Sequence, residues 1–533
     1  KPSAALRGNL KSIEWPQMRG FAAKWLTARN ESNSALLSLF ASYWACQWRS
    51  LISGPPRQSL RMRVIIAGAG EVGRGVAAAL RQEKRSVALI DPNPTAINES
   101  QSLDCLLVTG SALSRESLLR AGISDAEIMV LATNDDEANL LGCAFAKKVY
   151  SEQVGDRTAS GLTTIAKIRD PTLLDPSRGA GPLESWSKAD HVVCSSDEIV
   201  EQLAAGLLAP SIDEILPLGD TSWIAVSEVM AGSPLIGTKT GYVGEIFVGI
   251  PSIYALMNEG EKGILSTGSE IIQEGQILVF VSRSTDQFHQ ITRAVGRKDE
   301  DFPDNAQVAV FGASQFGSKL AIHYLSKGSN VVVIEPDLDA ANELVGSPVG
   351  NSKRLDVIHG DPQDEELLQE LGIDHHDIAV AALDDDNLNI AISMRAKDKG
   401  VPRTGLLLKD RALVEAVHRI GLTRPVSRRL VTVTSILKSI HMNVPGTYQV
   451  IPPIPAIISI SAEVNHDHSF AGKSVKDSEG ALRARIVLVE RRDETGSTAL
   501  LKPHTLDTIE VGDRIYLFLA RDDLKKVEKA LEN

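Results

Sequence analysis

Three glycines in the run Gly68-Ala69-Gly70-Glu71-Val72-Gly73 have the spacing of a diphosphate cradle. The run follows the apolar stretch Arg63 to Ala67, RVIIA, and Val72, Val76 and Leu80 then recur at helical spacing, so the glycines fall in a strand-to-helix turn. There Gly68 permits the tight bend, Gly70 lets the backbone approach a pyrophosphate with no Cβ between them, and Gly73 lets the helix pack closely on the strand. The phosphates would rest on unpaired amides and on the positive end of the helix dipole. Asp91 ends the next apolar run, VALID, 21 residues beyond Gly70. Its carboxylate can accept hydrogen bonds from both hydroxyls of an adenosine ribose; the alternative is a strand-end acid that caps the turn at Asn93 or Thr95.

These features occur twice. Arg63 to Gly73 (RVIIAGAGEVG) is answered by Gln307 to Gly317 (QVAVFGASQFG), and VALID by Val331 to Glu335 (VVVIE), both at an offset of 244. Ala121-Gly122-Ile123 is answered by Leu371-Gly372-Ile373, and Val130 to Leu140 (VLATNDDEANL) by Val380 to Ile390 (VAALDDDNLNI), both at 250. In the second copy the turn is Gly312-Ala313-Ser314-Gln315-Phe316-Gly317, so Ser314 places a Cβ where a diphosphate would approach, while Glu335 keeps the acid and Gly360-Asp361 a polar turn. The second copy either binds a nucleotide or keeps the fold without the ligand.

Short apolar runs bounded by Gly, Asp or Pro alternate with helical patterns in each copy, which predicts α/β architecture: two Rossmann-like, doubly wound parallel-sheet domains, at 62–190 and 306–430. Gly-punctuated strand pairs such as Ile271 to Arg283 and Leu506 to Arg521 close each half, predicting small β-rich domains at 208–295 and 448–530. The acidic stretch Lys298 to Asn305, KDEDFPDN, reads as a solvated linker with a turn at Pro303.

The 533 residues suit roughly three to five domains at about 150 residues each. A net charge of −12 opposes a nucleic-acid footprint. Four dispersed cysteines support neither a zinc knuckle nor a disulfide framework and fit a reducing cytosol. No run of about 18 apolar residues is present, so any membrane role is peripheral, with no direct insertion. Residues 1 to 61 form a leader of different composition: up to residue 60 it holds eight Lys or Arg against two Asp or Glu, and it carries four of the six tryptophans. It is an upstream extension before Met62, a targeting peptide or an interfacial helix.

The strand-GAGEVG-helix-acid core, the later AGI, the TNDDEANL run and the β-rich tail, each twice in one chain, resemble tandem TrkA-type modules, also called RCK or KTN modules, over about residues 62 to 530. The resemblance implies a nucleotide-binding domain followed by a small ligand-sensing domain, in two successive pairs, with NAD(H) or ATP/ADP in the crevice above the strand ends. It implies that Gly68, Ala69, Gly70, Glu71 and Val72 hold the diphosphate and Asp91 the ribose, that Thr133 and Asn134 line the adenosine side, and that Lys167 lies near the phosphates. The matching residues of the second half are Gly312, Ala313, Ser314, Gln315, Phe316, Glu335, Leu383, Asp384 and Lys409. Gly110-Ser111-Ala112 departs from the family's usual Gly-Asp-Ala, and Leu383 replaces threonine.

The function so implied is a cytoplasmic regulatory subunit of a Trk-type potassium uptake system, held at the cell membrane by an integral-membrane transporter subunit and assembled as a homodimer or homotetramer. A gating ring of a potassium channel or antiporter shares these motifs. An NAD-dependent oxidoreductase shares the glycine turn but needs a positioned acid or base, and no histidine cluster supplies one. His375-His376 and His466-Asp467-His468 read as solvated loop histidines, with a weak metal site at the latter pair as the alternative. Asp384-Asp385-Asp386 reads as helix caps and first-turn charge rather than cation ligands.

Overall fold

The computed structural model describes residues 63–155, 161–174, 183–219, 222–298, 302–420, 424–441, 448–492 and 498–531. The readings made on the leader fall outside these residues.

Near-continuous apolar runs are the signature of strands buried on both faces, as parallel sheets are. Six of them, β1 (Arg63–Ala67), β2 (Ser86–Asp91), β3 (Leu106–Thr109), β4 (Ile128–Leu131), β5 (Thr163–Lys167) and β6 (His191–Val193), form a parallel sheet in the order β3-β2-β1-β4-β5-β6. The order reverses between β1 and β4, which opens a crevice at their carboxyl ends. An antiparallel sheet follows, built from β7 (Glu214–Pro217), β8 (Trp223–Glu228), β9 (Ile253–Met257), β10 (Ile264–Leu265) and β11 (Ile277–Ser282) in the order β10-β9-β11-β8-β7. The second half repeats the plan. Its parallel strands β12 (Gln307–Phe311), β13 (Asn330–Glu335), β14 (Leu355–His359), β15 (Ile378–Ala381), β16 (Arg403–Leu408) and β17 (Pro425–Ser427) lie in the order β14-β13-β12-β15-β16-β17. Its antiparallel strands β18 (Tyr448–Val450), β19 (Ile457–Glu463), β20 (Arg485–Arg492), β21 (Thr498–Leu501) and β22 (Arg514–Ala520) lie in the order β18-β19-β22-β20-β21.

The helix after each glycine turn is amphipathic because Gly73, Val76, Ala77 and Leu80 fall on one face of Glu71–Gln82, as do Phe316, Gly317, Leu320, Ala321 and Tyr324 on Gln315–Ser326. What covers these helices was not legible in the sequence. A crossover helix, Ser196–Leu208, leaves the first parallel sheet and packs Ile199, Val200, Leu203 and Leu207 into the core of the second, beside Phe316, Leu320 and Tyr324. Its counterpart Arg428–Ile440 leaves the second parallel sheet and packs Val433, Ile436, Leu437 and Ile440 beside Val76, Ala77 and Leu80 of the first. The helices therefore exchange between halves. Contact is close enough that a Cβ on Gly75 would stand 2.7 Å from a Val433 methyl.

The exchange carries the β-rich domains with it. Ile458, Ile460, Leu517 and Leu519 of the last sheet share a core with the first parallel sheet, and the two antiparallel sheets meet through Leu216, Val226 and Val279 on one side and Ile451, Leu488 and Phe518 on the other. Arg424, buried just before β17, ties the second parallel sheet to the first antiparallel one by donating to the carbonyls of Asp213 (2.8 Å), Ile212 (2.6 Å) and Gly206 (3.2 Å). Arg424→Ala strips buried acceptors of their donor, at about 1–3 kcal/mol for each group left unsatisfied. We expect unfolding stability to fall by roughly 2–4 kcal/mol, seen as a lower urea midpoint with an unchanged slope.

Candidate functional site

The first glycine turn is fixed by backbone geometry. Gly68 has φ +101°, and a Cβ there would meet the Ala132 carbonyl oxygen at 2.8 Å; a Cβ on Gly73 would stand 1.8 Å from the Gly68 carbonyl oxygen. Around Gly70 nothing lies within 4 Å of the Cβ position. Gly70 caps the helix Glu71–Gln82 without a side-chain hydrogen bond, so the first-turn amides face an open space. Arg74 donates to the Ala69 carbonyl at 2.9 Å and to Glu99 at 2.8 Å, bracing the turn from outside.

Asp91 braces it from below. One carboxylate oxygen accepts from the Ala69 amide at 2.7 Å and the other from the Asn93 amide at 2.8 Å. The turn-capping role is thus present at Asn93, whereas the Thr95 amide is held by the Asn93 side chain. Asp91 is only partly buried, and each oxygen keeps a second lone pair for a ribose hydroxyl.

The far wall rests on a side chain missed in the sequence. Asn139, fully buried, accepts from the Thr133 amide (3.0 Å) and hydroxyl (2.7 Å) and donates to the carbonyls of Thr133 (3.2 Å) and Lys167 (2.8 Å). The Thr133 hydroxyl is thereby committed to the protein. Lys167 donates to the Thr133 carbonyl at 2.9 Å; burial, followed by the neighbouring Arg169 charge, lowers its pKa. Asn389 repeats the arrangement by bridging Leu383 and Leu407. The signal was the coincidence of these two asparagines at the 250 offset.

The aspartate runs are structural. Asp135 and Asp385 cap their helices by accepting from the amides of Ala138 (2.8 Å) and Leu388 (2.9 Å). Asp136 holds the amides of Arg169 and Asp170, and Asp386 those of Lys409 and Asp410. Ser111 holds the Leu113 amide at 3.1 Å where Asp361 holds that of Gln363 at 2.8 Å, so the Gly-Ser-Ala departure keeps the turn. Among the described residues no three or more His, Cys, Asp or Glu side chains are placed so that they could hold a metal ion. Two histidine readings are corrected: His376 is half-buried, with Nδ1 3.1 Å from the Gly372 carbonyl oxygen, and His468 is buried, not solvated, because its ring stacks on Phe470 at 5.0 Å and its nitrogens meet the Asn465 amide and the Leu531 carbonyl. His466 and His375 are exposed.

The second turn differs in the direction the sequence indicated. Gly312 keeps a positive φ and Gly317 its close approach to the Gly312 carbonyl oxygen. Ser314 occupies the Gly70 position, and its hydroxyl donates to the Ala382 carbonyl at 3.2 Å, across the turn. Glu335 is buried, and its oxygens accept from the amides of Ala313 and Asp337. Asp384 is held by Arg428 and Lys409, which keep its carboxyl below the usual range. These residues fit a diphosphate and ribose less well than the open first turn.

Both turns border one cleft of about 340 Å³, lined by Val72, Asn134 and Lys167 from the first half and by Gln315, Phe316 and Lys409 from the second. Arg169, Arg428 and Arg429 also line it, so five cationic side chains converge with no carboxylate on the wall. Arg429 arrives on the exchanged crossover helix and pairs with Glu71 of the first turn. Arg428 stacks over the Phe316 ring at 4.2 Å. Sequence reading could not place Arg429, because it meets the first turn only through the exchange.

An open turn after β1, an acid at the end of the neighbouring strand and a cleft lined by basic side chains between paired α/β domains define a tandem of Rossmann-like domains. Residues 64–198 and 308–428 match the TrkA-N domain model, and these two segments belong to that family. The chain is 26% identical over 474 residues to the Trk system potassium uptake protein TrkA of Azorhizobium caulinodans, covering 88% of this chain and 98% of that one. It is 26% identical over 472 residues to a TrkA homolog of Archaeoglobus fulgidus, covering 88% and 99%. Among solved structures the GsuK channel shares the fold, with a TM-score of 0.50 and 17% identity over 98% of this chain and 90% of that one. Among the described residues no helix is long and apolar enough to cross a membrane.

The two glycine positions give a contrast in stability. Gly70→Ala enters open space and should leave the melting temperature within about the shift of a neutral surface change, ±0.5 kcal/mol. Gly73→Ala collides with backbone and should lower it by several degrees, at a cost of roughly 1–3 kcal/mol or more. Scanning calorimetry of the two variants distinguishes them.

Proposed function

We propose that this chain is a nucleotide-binding regulatory subunit of a Trk-type potassium uptake system, which gates a separate integral-membrane subunit in response to NAD(H) or ATP/ADP. The observation that carries the reading is the space around Gly70: the turn presents uncapped amides there, and Asp91 stands beside it with lone pairs to spare. Both ligand classes offer an adenosine ribose and a diphosphate to these groups. Similarity over most of the chain to proteins named for Trk potassium uptake supports the transport context.

In this reading Gly68 to Val72 hold the diphosphate, Asp91 holds the ribose, and Asn134 and Lys167 close the adenosine and phosphate sides. Arg429 supplies charge from the other half. Its pair with Glu71 is half-exposed, and such pairs contribute only about 0–1 kcal/mol, so an arriving phosphate can take over the guanidinium at little cost. The second turn keeps the fold with a weaker site or none. The nucleotide acts by differential affinity for two arrangements of the halves and is not consumed.

Isothermal titration calorimetry of NAD⁺, NADH, ADP and ATP tests this. At least one should bind, Asp91→Ala should weaken it about tenfold or more, and Gly70→Val should abolish it while the protein stays folded. Absence of binding by all four, or steady oxidation of NADH with small carbonyl compounds, would refute the reading. Co-purification with a membrane potassium transporter tests the partner.

A further inference from the structure

At the opposite end of the second crossover helix lies a buried ionic cluster that the nucleotide reading does not use. His441 follows the last turn of Arg428–Ile440 and is 4% exposed. Its Nδ1 lies 2.9 Å from a Glu528 carboxylate oxygen, and its Nε2 lies 3.1 Å from a Glu83 carboxylate oxygen. Glu83 caps the helix after the first glycine turn, and Glu528 sits on the last helix, Leu524–Leu531. The cluster thus joins the first Rossmann-like domain to the last β-rich domain.

Every neighbouring element adds a charged or titratable group. Arg85, just before β2, pairs with Glu528 at 2.7 Å. Tyr448 of β18 donates to Glu83 at 2.8 Å and stacks on the His441 ring at 4.5 Å. Arg521, after β22, reaches the Gln82 side chain, the Tyr448 hydroxyl at 3.4 Å and Glu83 at 3.9 Å. Lys438, on the same helix as His441, is exposed. Two carboxylates and two guanidiniums are therefore fixed around one imidazole.

A neutral imidazole has one N–H and one lone pair, so it cannot donate from both nitrogens. Here Nδ1 is hydrogen-bonded to Glu528, and Nε2 lies 3.1 Å from a Glu83 oxygen outside hydrogen-bond geometry, so the second contact is an attraction between charges that only the imidazolium makes. The equivalent junction shows that the fold does not require this arrangement. The first crossover helix is followed by Ala209 where the second has His441, and the second loop helix is followed by Lys327 where the first has Glu83.

We propose that His441 is a protonation-controlled latch which holds the last β-rich domain on the first Rossmann-like domain and loosens as the surroundings become alkaline. Burial alone would lower the pKa of His441, but Glu528 and Glu83 outweigh it and raise the value. A group whose folded pKa is raised contributes stability that is full below its unfolded pKa, about 6.5, and lost as pH rises through the folded one. For Glu83 burial raises the pKa, yet His441 and Tyr448 pull it lower overall, so its contribution is lost only in acid. The latch is independent of what the cleft binds.

Hydrogen exchange of the full chain between pH 6 and 9, corrected for intrinsic exchange chemistry, reads the opening of Leu524–Leu531. In the wild type the opening constant should rise by up to about tenfold per pH unit above about 6.5 and then level off. In His441→Gln it should already be high at pH 6 and stay flat. Glu528→Gln retains the imidazole beside a weaker acceptor and should make the rise level off at lower pH, with the onset unchanged. A wild-type opening constant independent of pH, a His441→Gln profile parallel to the wild type, or a Glu528→Gln profile that levels off at the same pH as the wild type overturns the latch.

Discussion

Each parallel sheet in this chain is covered by a helix that belongs to the other one, and the rest of the architecture follows from that exchange. A loop helix with an apolar face cannot remain in water; burying a Leu, Ile or Val side chain contributes about 1.5–3 kcal/mol. Ile436, Leu437 and Ile440 supply that cover to the first half, and Leu203 and Leu207 to the second. Because each crossover helix leads directly into an antiparallel sheet, the exchange also sets which β-rich domain rests on which Rossmann-like domain. It places the starts of both crossover helices at the two glycine turns, where their side chains decide the charge of the cleft.

That charge is not the same on the two sides. The second crossover helix begins Arg428-Arg429, and Arg429 reaches the first turn at Glu71. The first begins Ser196-Asp197, and its groups meet Lys319 on the second loop helix. At the first turn the exchanged helix thus supplies the cation and the loop helix the carboxylate, Arg429 with Glu71, and at the second turn the sense is reversed, Asp197 with Lys319. Ser314 adds a Cβ and a hydroxyl bond across the second turn, and Glu335 is buried beneath it. The sequence repeat is therefore a repeat of fold more than of electrostatics.

Much of this was legible before the structure, for definable physical reasons. Strands buried on both faces must be apolar throughout, so RVIIA, VALID and their counterparts announced parallel sheets. Gly68 and Gly73 were readable because their positions exclude a Cβ. The aspartate runs were readable as caps because Asp135 and Asp385 stand just before helical patterns, although the amide-holding roles of Asp136 and Asp386 depend on the end of the neighbouring strand. The helix exchange was not readable: Ile199 to Leu207 and Val433 to Ile440 present the same apolar period whichever sheet they cover. For the same reason Arg429, 358 residues from Glu71, carried no local signal. His468 was misread because a His-Asp-His turn looks polar, while its burial is set by Phe470 and the last helix.

The second crossover helix joins two charged centres. Arg429 stands at its start and His441 just past its end, with 13 helical residues between Arg428 and Ile440, a span of about 20 Å at 1.5 Å per residue. The two contacts differ in strength. The Arg429–Glu71 pair is roughly two-fifths exposed on each side, whereas the His441 and Glu83 side chains are 2% and 1% exposed. Removing one partner from a buried pair costs about 3–5 kcal/mol, against about 0–1 for a surface pair. A ligand that repartners Arg429 therefore meets little resistance at that end, while the other end gives way only when the imidazolium loses its proton. Coupling between distant sites is typically about 1–3 kcal/mol, larger than the first contact and smaller than the second. Phosphate binding alone would then shift the helix against the first turn with the last domain still docked, and releasing that domain would take the proton as well.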